Sequence, residues 1–238
     1  DSPPLHHSHD WLRFNLYSKT IEPYSDFRHE DSSVTSSNGS PRPVEAIFSE
    51  RDAIQVQSKS GPNMKIIAIV QARMGSIRLP NKVMREIHGT PMIELLLKRL
   101  ARSKELDGIV VATSHDPVNE PLVEHVNRLG FECEKGSESD VLQRYVQVAR
   151  AHKAEVVVRI TGDCPLIDAQ LLDNCICDFR QSEVDYLTNT LPPSYPDGLD
   201  IEVVTLQALE SALERADEKH DREHVTPYIR RSDAFSNK

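Results

Sequence analysis

Two stretches of this sequence hold residue types suited to chemistry on a phosphorylated ligand. The first is Gln71-Ala-Arg-Met-Gly-Ser-Ile-Arg-Leu-Pro-Asn-Lys82, which places three cations, Arg73, Arg78 and Lys82, within ten residues. Arginine offers a planar fork of donors that matches phosphate oxygens, and lysine a compact point charge. Gly75 allows a tight turn and close backbone approach by a ligand. Successive backbone N–H groups in such a turn make an anion-binding hollow. The loop has neither the G-K-[ST] ending of a P-loop nor G-x-G-x-x-G, which disfavours ATPase and dinucleotide readings. The second stretch is Thr161-Gly-Asp-Cys-Pro-Leu166. Its Asp163 is a hard donor suited to Mg2+ shared with phosphate oxygens and waters. Each stretch has a plain alternative: a basic turn in solvent, or an aspartate capping a turn. Together, cations in one loop and a metal carboxylate in another make the stronger case.

Both loops directly follow apolar runs. Lys65–Val70 (KIIAIV) and Glu155–Ile160 (EVVVRI) read as strands buried on both faces, as does Ile109–Thr113 (IVVAT). Shorter strands are expected at Phe131–Glu134, Val184–Leu187 and Ile201–Val204. Helical spacing predicts helices at Pro91–Ala101, Leu122–Leu129, Ser139–His152, Leu171–Phe179 and Leu206–Ala216, with a last one beginning over Glu223–Arg230. Gly130 marks a helix stop, and Ser139 and Asp140 a helix start. Alternating strands and helices predict an α/β fold with a mainly parallel, doubly wound sheet. Ligands of such sheets bind outside the carboxyl ends of the strands. That rule selects the loops after Val70, Thr113 and Ile160.

Five segments carry a resemblance: QARMGSIRLPNK (71–82), GSESDVLQRY (136–145), VRITGDCPLID (158–168), YLTNTLPPSYPDGLDIEV (186–203) and REHVTPYIR (222–230). In this order they resemble the cytidylyltransferase family of spore-coat polysaccharide biosynthesis F type, related to acylneuraminate (CMP-sialic acid) and CMP-KDO synthetases. The resemblance runs from Met64 to about Arg230. It implies a Rossmann-like nucleotidyltransferase (GT-A-like) three-layer sandwich, a homodimer, and Mg2+-dependent transfer of CMP from CTP to a sugar or sugar acid with release of pyrophosphate. Envelope or coat glycan precursors would be the products. By motif, Gln71, Ala72, Arg73, Gly75, Ser76, Arg78 and Lys82 would hold the nucleotide and its triphosphate. Thr113, Ser114, Gly136 and Ser137 would lie near base and ribose, and Asp163 would hold the metal. Tyr195, Asp197, Asp200 and Glu202 would face the acceptor or the dimer partner. Arg159, Asn189 and His224 would be acceptor or second-layer contacts, with His224 the only candidate base. Arg73, Arg78, Lys82 and Asp163 would carry the catalytic charge. Relatives of this kind place a second metal carboxylate in a W-T-V-D-x-x-x-D-type segment after the TPYIR helix. The chain ends at Lys238 without one. The expectation is therefore a domain truncated at its C-terminus or an incomplete metal site, with Asp200 substituting if its loop folds back.

Composition bounds the remaining classes. The 28 Lys+Arg against 37 Asp+Glu give a net charge of −9, unlike the basic footprint of a general nucleic-acid binder. Neither a secretory leader nor an apolar run long enough for a membrane helix appears, so a cytoplasmic protein is expected. Cys133, Cys164, Cys175 and Cys177 fit neither a disulfide scaffold nor a zinc site and are expected reduced and mostly buried. Residues 1–63 are rich in Ser, Pro, His and charge, without sustained periodicity. They read as a polar tail or linker, the end of an upstream domain or appended sequence, with one short amphipathic element around Trp11–Tyr17. The nucleotidyltransferase domain is then 64–238. His6, His7 and His9 are expected solvated, Asp217–Glu223 a solvated turn, and Tyr145 part of a helix core. Two rival readings stand beside the transferase. One is a glycosyltransferase, disfavoured because Gly-Asp-Cys stands where D-x-D would. The other is a non-catalytic nucleotide-binding module of a larger protein.

Overall fold

The computed structural model describes residues 64–76 and 79–238. The expected tail 1–63, its histidine cluster, its amphipathic element and Arg78 lie outside the described residues. Elements follow in the order β1 (Ile66–Gln71), β2 (Glu86–Ile87), β3 (Thr90–Pro91), α1 (Met92–Leu100), β4 (Gly108–Ser114), α2 (Glu120–Arg128), β5 (Glu132–Gly136), α3 (Val141–Ala151) and β6 (Val156–Thr161). Then come α4 (Ala169–Ser182), β7 (Tyr186–Thr188), β8 (Glu202–Thr205), α5 (Leu206–Arg215), α6 (Lys219–His224) and α7 (Pro227–Arg231).

Six strands form one sheet in the order β5-β4-β1-β6-β8-β7. β5, β4, β1 and β6 run parallel, and β8 enters antiparallel between β6 and β7. The apolar run of β1 makes sense in this position. Ile66, Ala68 and Val70 pack with α1, α2 and α4, whereas Ile67 and Ile69 pack with α3, α5 and α7. Each large apolar side chain so buried stabilises the fold by about 1.5–3 kcal/mol. The result is a three-layer α/β sandwich, as the sequence predicts. Among the described residues no helix is long and apolar enough to cross a membrane.

Local signals explain most helix ends. The Asp140 carboxylate accepts from the Gln143 N–H at 2.9 Å, and Asp168 likewise caps Leu171. Gly130 ends α2 with φ of 85°. Tyr145 is fully buried, as expected, and its hydroxyl donates to the Ile69 carbonyl. Among the cysteines, Cys164 and Cys175 are buried, Cys133 is half-buried, Cys177 is exposed, and all four are free.

Three features depart from the sequence reading. His88 and Gly89 both take positive φ, forming the two-residue turn of a small β2–β3 hairpin. The supposed solvated turn at 217–223 is largely helix α6. Its Asp221 is fully buried and receives a forked pair of bonds from the Arg231 guanidinium. Finally, the helix expected over 223–230 is interrupted. Val225 has φ of 72° and ψ of −56°, and the Thr226 N–H donates to the His224 carbonyl. That is a γ-turn on a β-branched residue, a strained geometry held in place by its surroundings. Val225 is completely buried in the α3/α5/α7 core.

Candidate active site

Adjacent carboxyl ends of β1 and β6 bring the two chemically promising loops together. The Gly162 N–H donates to the Gln71 carbonyl at 2.8 Å. A Cβ on Gly162 would stand 2.9 Å from both the Ala72 Cβ and the Gln71 carbonyl oxygen. The glycine whose bareness the site requires is therefore Gly162. At Gly75 a Cβ would meet nothing within 4 Å, so what Gly75 offers is open room beside the loop. Gly162→Ala should destabilise the protein by about 1–3 kcal/mol, because backbone must move to admit the methyl. Chemical denaturation against a Gly75→Ala control measures this, and equal stabilities would refute the close packing.

The loop after β1 hangs from a residue the sequence reading did not single out. Asn119 is buried, and its Oδ1 accepts from the Met74 N–H at 2.8 Å while its Nδ2 donates to Ser114 Oγ at 2.8 Å. Ser114 and Thr113 are themselves fully buried. They do not face the cavities as the motif implied: Ser114 anchors the loop through Asn119. Only the tertiary approach of residues 116–119 reveals Asn119.

Three hollows adjoin along this edge. One of 360 Å3 is lined by Gln71, Ala72, Arg73, Ser76, Lys82 and Asp163, among others. A second of 280 Å3 shares Arg159, Thr161 and His224 with the first and adds Thr190, Asp200, Glu202, His220 and Arg230. A third, of 370 Å3, reaches from Gln71 and Arg73 to Glu138, Ser139 and Arg144. His224, placed just before the strained turn, lines all three. Their sizes are those of small-molecule sites.

Charges at the first hollow are held in pairs. Lys82 Nζ donates to Asp163 Oδ2 at 2.7 Å, and Arg73 Nη1 stands 3.4 Å from Glu138 Oε1. Burial alone would raise the Asp163 carboxyl, but the Lys82 ammonium and the Thr161 hydroxyl hold it below the ordinary carboxylate range. These half-exposed pairs are each worth only about 0–1 kcal/mol. An entering polyanion can therefore take Arg73 and Lys82 and release Asp163. A freed, half-exposed carboxylate beside such an anion is a hard-oxygen donor set that fits Mg2+.

Deeper in, Arg159 pairs with the buried Glu202 carboxylate, which also accepts from the Tyr186 hydroxyl at 2.6 Å and the Thr226 hydroxyl at 2.7 Å. Glu202 thus ties β6, β7, β8 and the turn after α6 together. Asn189 is likewise a brace, as a second-layer residue would be. Its amide donates to the Leu199 carbonyl and accepts from the Ile201 N–H, closing the loop between β7 and β8. Gly136 makes room for Arg144, whose Cγ would lie 2.8 Å from a Cβ there. Ser137 accepts from Arg144 through its carbonyl and from the Asp140 N–H through its hydroxyl. Tyr195 and Asp197 line a further depression with Pro165, Leu166 and Leu199, and Asp163 borders both it and the first hollow. Asp200 lines the second hollow and stands close enough to Asp163 for the two charges to act on each other. Burial, followed by the charges of Asp197 and Glu202, pushes its carboxyl up.

Known proteins resemble this chain. Residues 67–237 match the family model described as "Cytidylyltransferase". An uncharacterized protein of Methanocaldococcus jannaschii is 44% identical over 166 residues, 70% of this chain and 67% of that one. The spore coat polysaccharide biosynthesis protein SpsF of Bacillus subtilis is 39% identical over 177 residues, 71% of this chain and 72% of its own. The solved structure of a cytidylyltransferase from Leptospira borgpetersenii superposes with a TM-score of 0.70 at 34% identity, over 73% of this chain and 74% of that one.

Proposed function

We propose, from the premise that this chain belongs to the cytidylyltransferase family and is thus a nucleotidyltransferase, that it transfers CMP from CTP to a hydroxyl of a sugar or sugar acid. Pyrophosphate would leave, and Mg2+ would be held by Asp163. The observation that carries this reading is the Lys82–Asp163 pair at 2.7 Å, facing Arg73 across the loop after β1. Cations for a triphosphate and a carboxylate for its metal thus share one hollow.

The triphosphate would lie along residues 72–76 and take Arg73 from Glu138 and Lys82 from Asp163. Both cations then offset charge that grows on the leaving pyrophosphate. Bound Mg2+ would polarise phosphate oxygens and lower the pKa of a nearby hydroxyl. Base and ribose would occupy the third hollow, beside Glu138, Ser139 and Arg144. The acceptor would enter the second, where Asp200, His220, His224 and Arg230 offer polar contacts. In-line attack on the α-phosphorus then needs chiefly positioning. His224 borders all three of these hollows and would be the group to take the acceptor's proton. The role of SpsF in spore coat polysaccharide biosynthesis supports a precursor of a surface glycan as product. A homodimer in the cytoplasm belongs to the same proposal and rests on the resemblance.

A thermal-shift titration with CTP, UTP and ATP in Mg2+ tests this reading. CTP at a hundredfold excess over its Kd should raise Tm by roughly 5–10 °C. A response to ATP or UTP alone would overturn the assignment to CTP.

A further inference from the structure

A cluster away from the nucleotide edge offers metal-ligand chemistry that the transferase reading leaves unused. Glu132 and Glu134 lie two residues apart on β5, so both carboxylates leave one face of the strand. His152 caps the C-terminus of α3 and turns its ring toward them. Its Nε2 lies 3.7 Å from Glu134 Oε1 and 3.9 Å from Glu132 Oε2. All three ligand atoms fall within 4.8 Å of one another. Among the described residues that nitrogen is closed to water and has no hydrogen-bond partner.

Neither distance is a hydrogen bond. Both are near what a shared ion requires. Two ligands at about 2.0–2.2 Å from one tetrahedral Zn2+ stand about 3.3–3.6 Å apart, so each histidine–carboxylate edge must close by only a few tenths of an ångström, and the carboxylate–carboxylate edge, within 4.8 Å, by about 1.5 Å at most. Both carboxylates reach solvent, so an ion can enter from outside. Among the described residues, neither carboxylate pairs with a lysine or arginine, so two negative charges meet beside one imidazole. Cys133, between them, faces the other side of the strand.

We propose that Glu132, Glu134 and His152 form a binding site for Zn2+ or a similar borderline divalent cation, with the fourth position left to water. One nitrogen and two oxygens suit such ions, whereas Mg2+ prefers an octahedral all-oxygen shell. Among the described residues β5 is an edge strand of the sheet. A bound ion staples that edge to the end of α3. The opposite ends of the same two elements, Gly136 and Val141, flank the Ser137–Asp140 loop. The ion would thus brace the loop from the far side without touching substrate.

The test uses the full chain stripped of metal, titrated with ZnCl2 by calorimetry and with Co2+ by visible absorption. Wild type should bind one Zn2+ that His152→Ala lacks and that Glu134→Gln binds more than about tenfold weaker. Excess Mg2+ should not displace it, and the Co2+ spectrum should lack a thiolate charge-transfer band. Should His152→Ala fail to fold, imidazole 15N spectra of wild type replace it: the His152 Nε2 resonance must move on addition of Zn2+. Identical isotherms for wild type and His152→Ala, a thiolate band, or an unmoved His152 resonance each overturn the site. An imidazole held only by a proton between two carboxylates would give that last result.

Discussion

Asp163→Asn should lower the rate of pyrophosphate release from CTP by about a thousandfold or more while leaving the fold intact. The amide keeps the shape of the carboxylate but loses the charge that would hold Mg2+. A metal ion in such a site supplies several kcal/mol of transition-state stabilisation, and about 4 kcal/mol is a thousandfold in rate. Stability should change little, because the side chain is half-exposed and its partner Lys82 is also solvated. CTP binding measured without Mg2+ should persist or tighten, since Lys82 no longer has a carboxylate to leave. Undiminished pyrophosphate release would remove Asp163 from the metal role.

Glu202→Ala should bring the largest loss of stability, about 3–5 kcal/mol. It strands the Arg159 guanidinium in a buried setting and removes the acceptor of two hydroxyls. Against a total of about 5–15 kcal/mol, this would place the variant near unfolding at ambient temperature. Glu202→Gln, which can still accept from Tyr186 and Thr226, should lose less. The pH dependence follows from the direction of the carboxyl shift. Burial alone would raise it, but the Arg159 charge and the hydroxyl bonds outweigh burial and hold it below the ordinary range. A carboxyl depressed in the folded state contributes stability above its unfolded value, near about 4.3. That stability is lost as pH falls through the lower, folded value. Wild type should thus hold its Tm from neutral pH to about 5 and lose it steeply below 4, with a shallower acid slope in Glu202→Gln. Equal slopes would show that Glu202 is not the group responsible.

Much of the architecture was legible because β1, β4 and β6 are buried on both faces. Their uninterrupted Ile and Val runs leave a helix or a half-exposed strand little room as alternatives. The loops after β1 and β6 were legible for the same reason, since each follows such a run directly. Other features needed the third dimension. Nothing in the residues around Asn119 announces that it will hold the Met74 N–H, 45 positions away. Asp221 looked solvated because its neighbours are charged, yet Arg231, ten residues on, folds back over it. Gly75 stood out beside cations, while the close approach that truly excludes a Cβ falls at Gly162, where two strand ends meet. Asn189 and Ser114 sit within family-like motifs but act as braces. Sequence spacing does not separate a residue that touches a ligand from one that holds the residue that does.

The central position of β1 also governs when the site can exist during folding. Its partners on either side begin at Gly108 and Val156, and the two hollows proposed for nucleotide are finished only by Lys219, Glu223 and His224. Contacts so distant along the chain form slowly, because loop closure must precede them. A chain emerging from the ribosome therefore has the loop after β1 long before it has the strands and helices that position that loop's cations. Fragments ending before β8 should show no measurable nucleotide affinity, however well their first strands pair. Nucleotide would then act on the finished protein alone, slowing its opening without hastening its assembly. Cellular CTP would serve as a guard of the mature enzyme, not as a template for the nascent one.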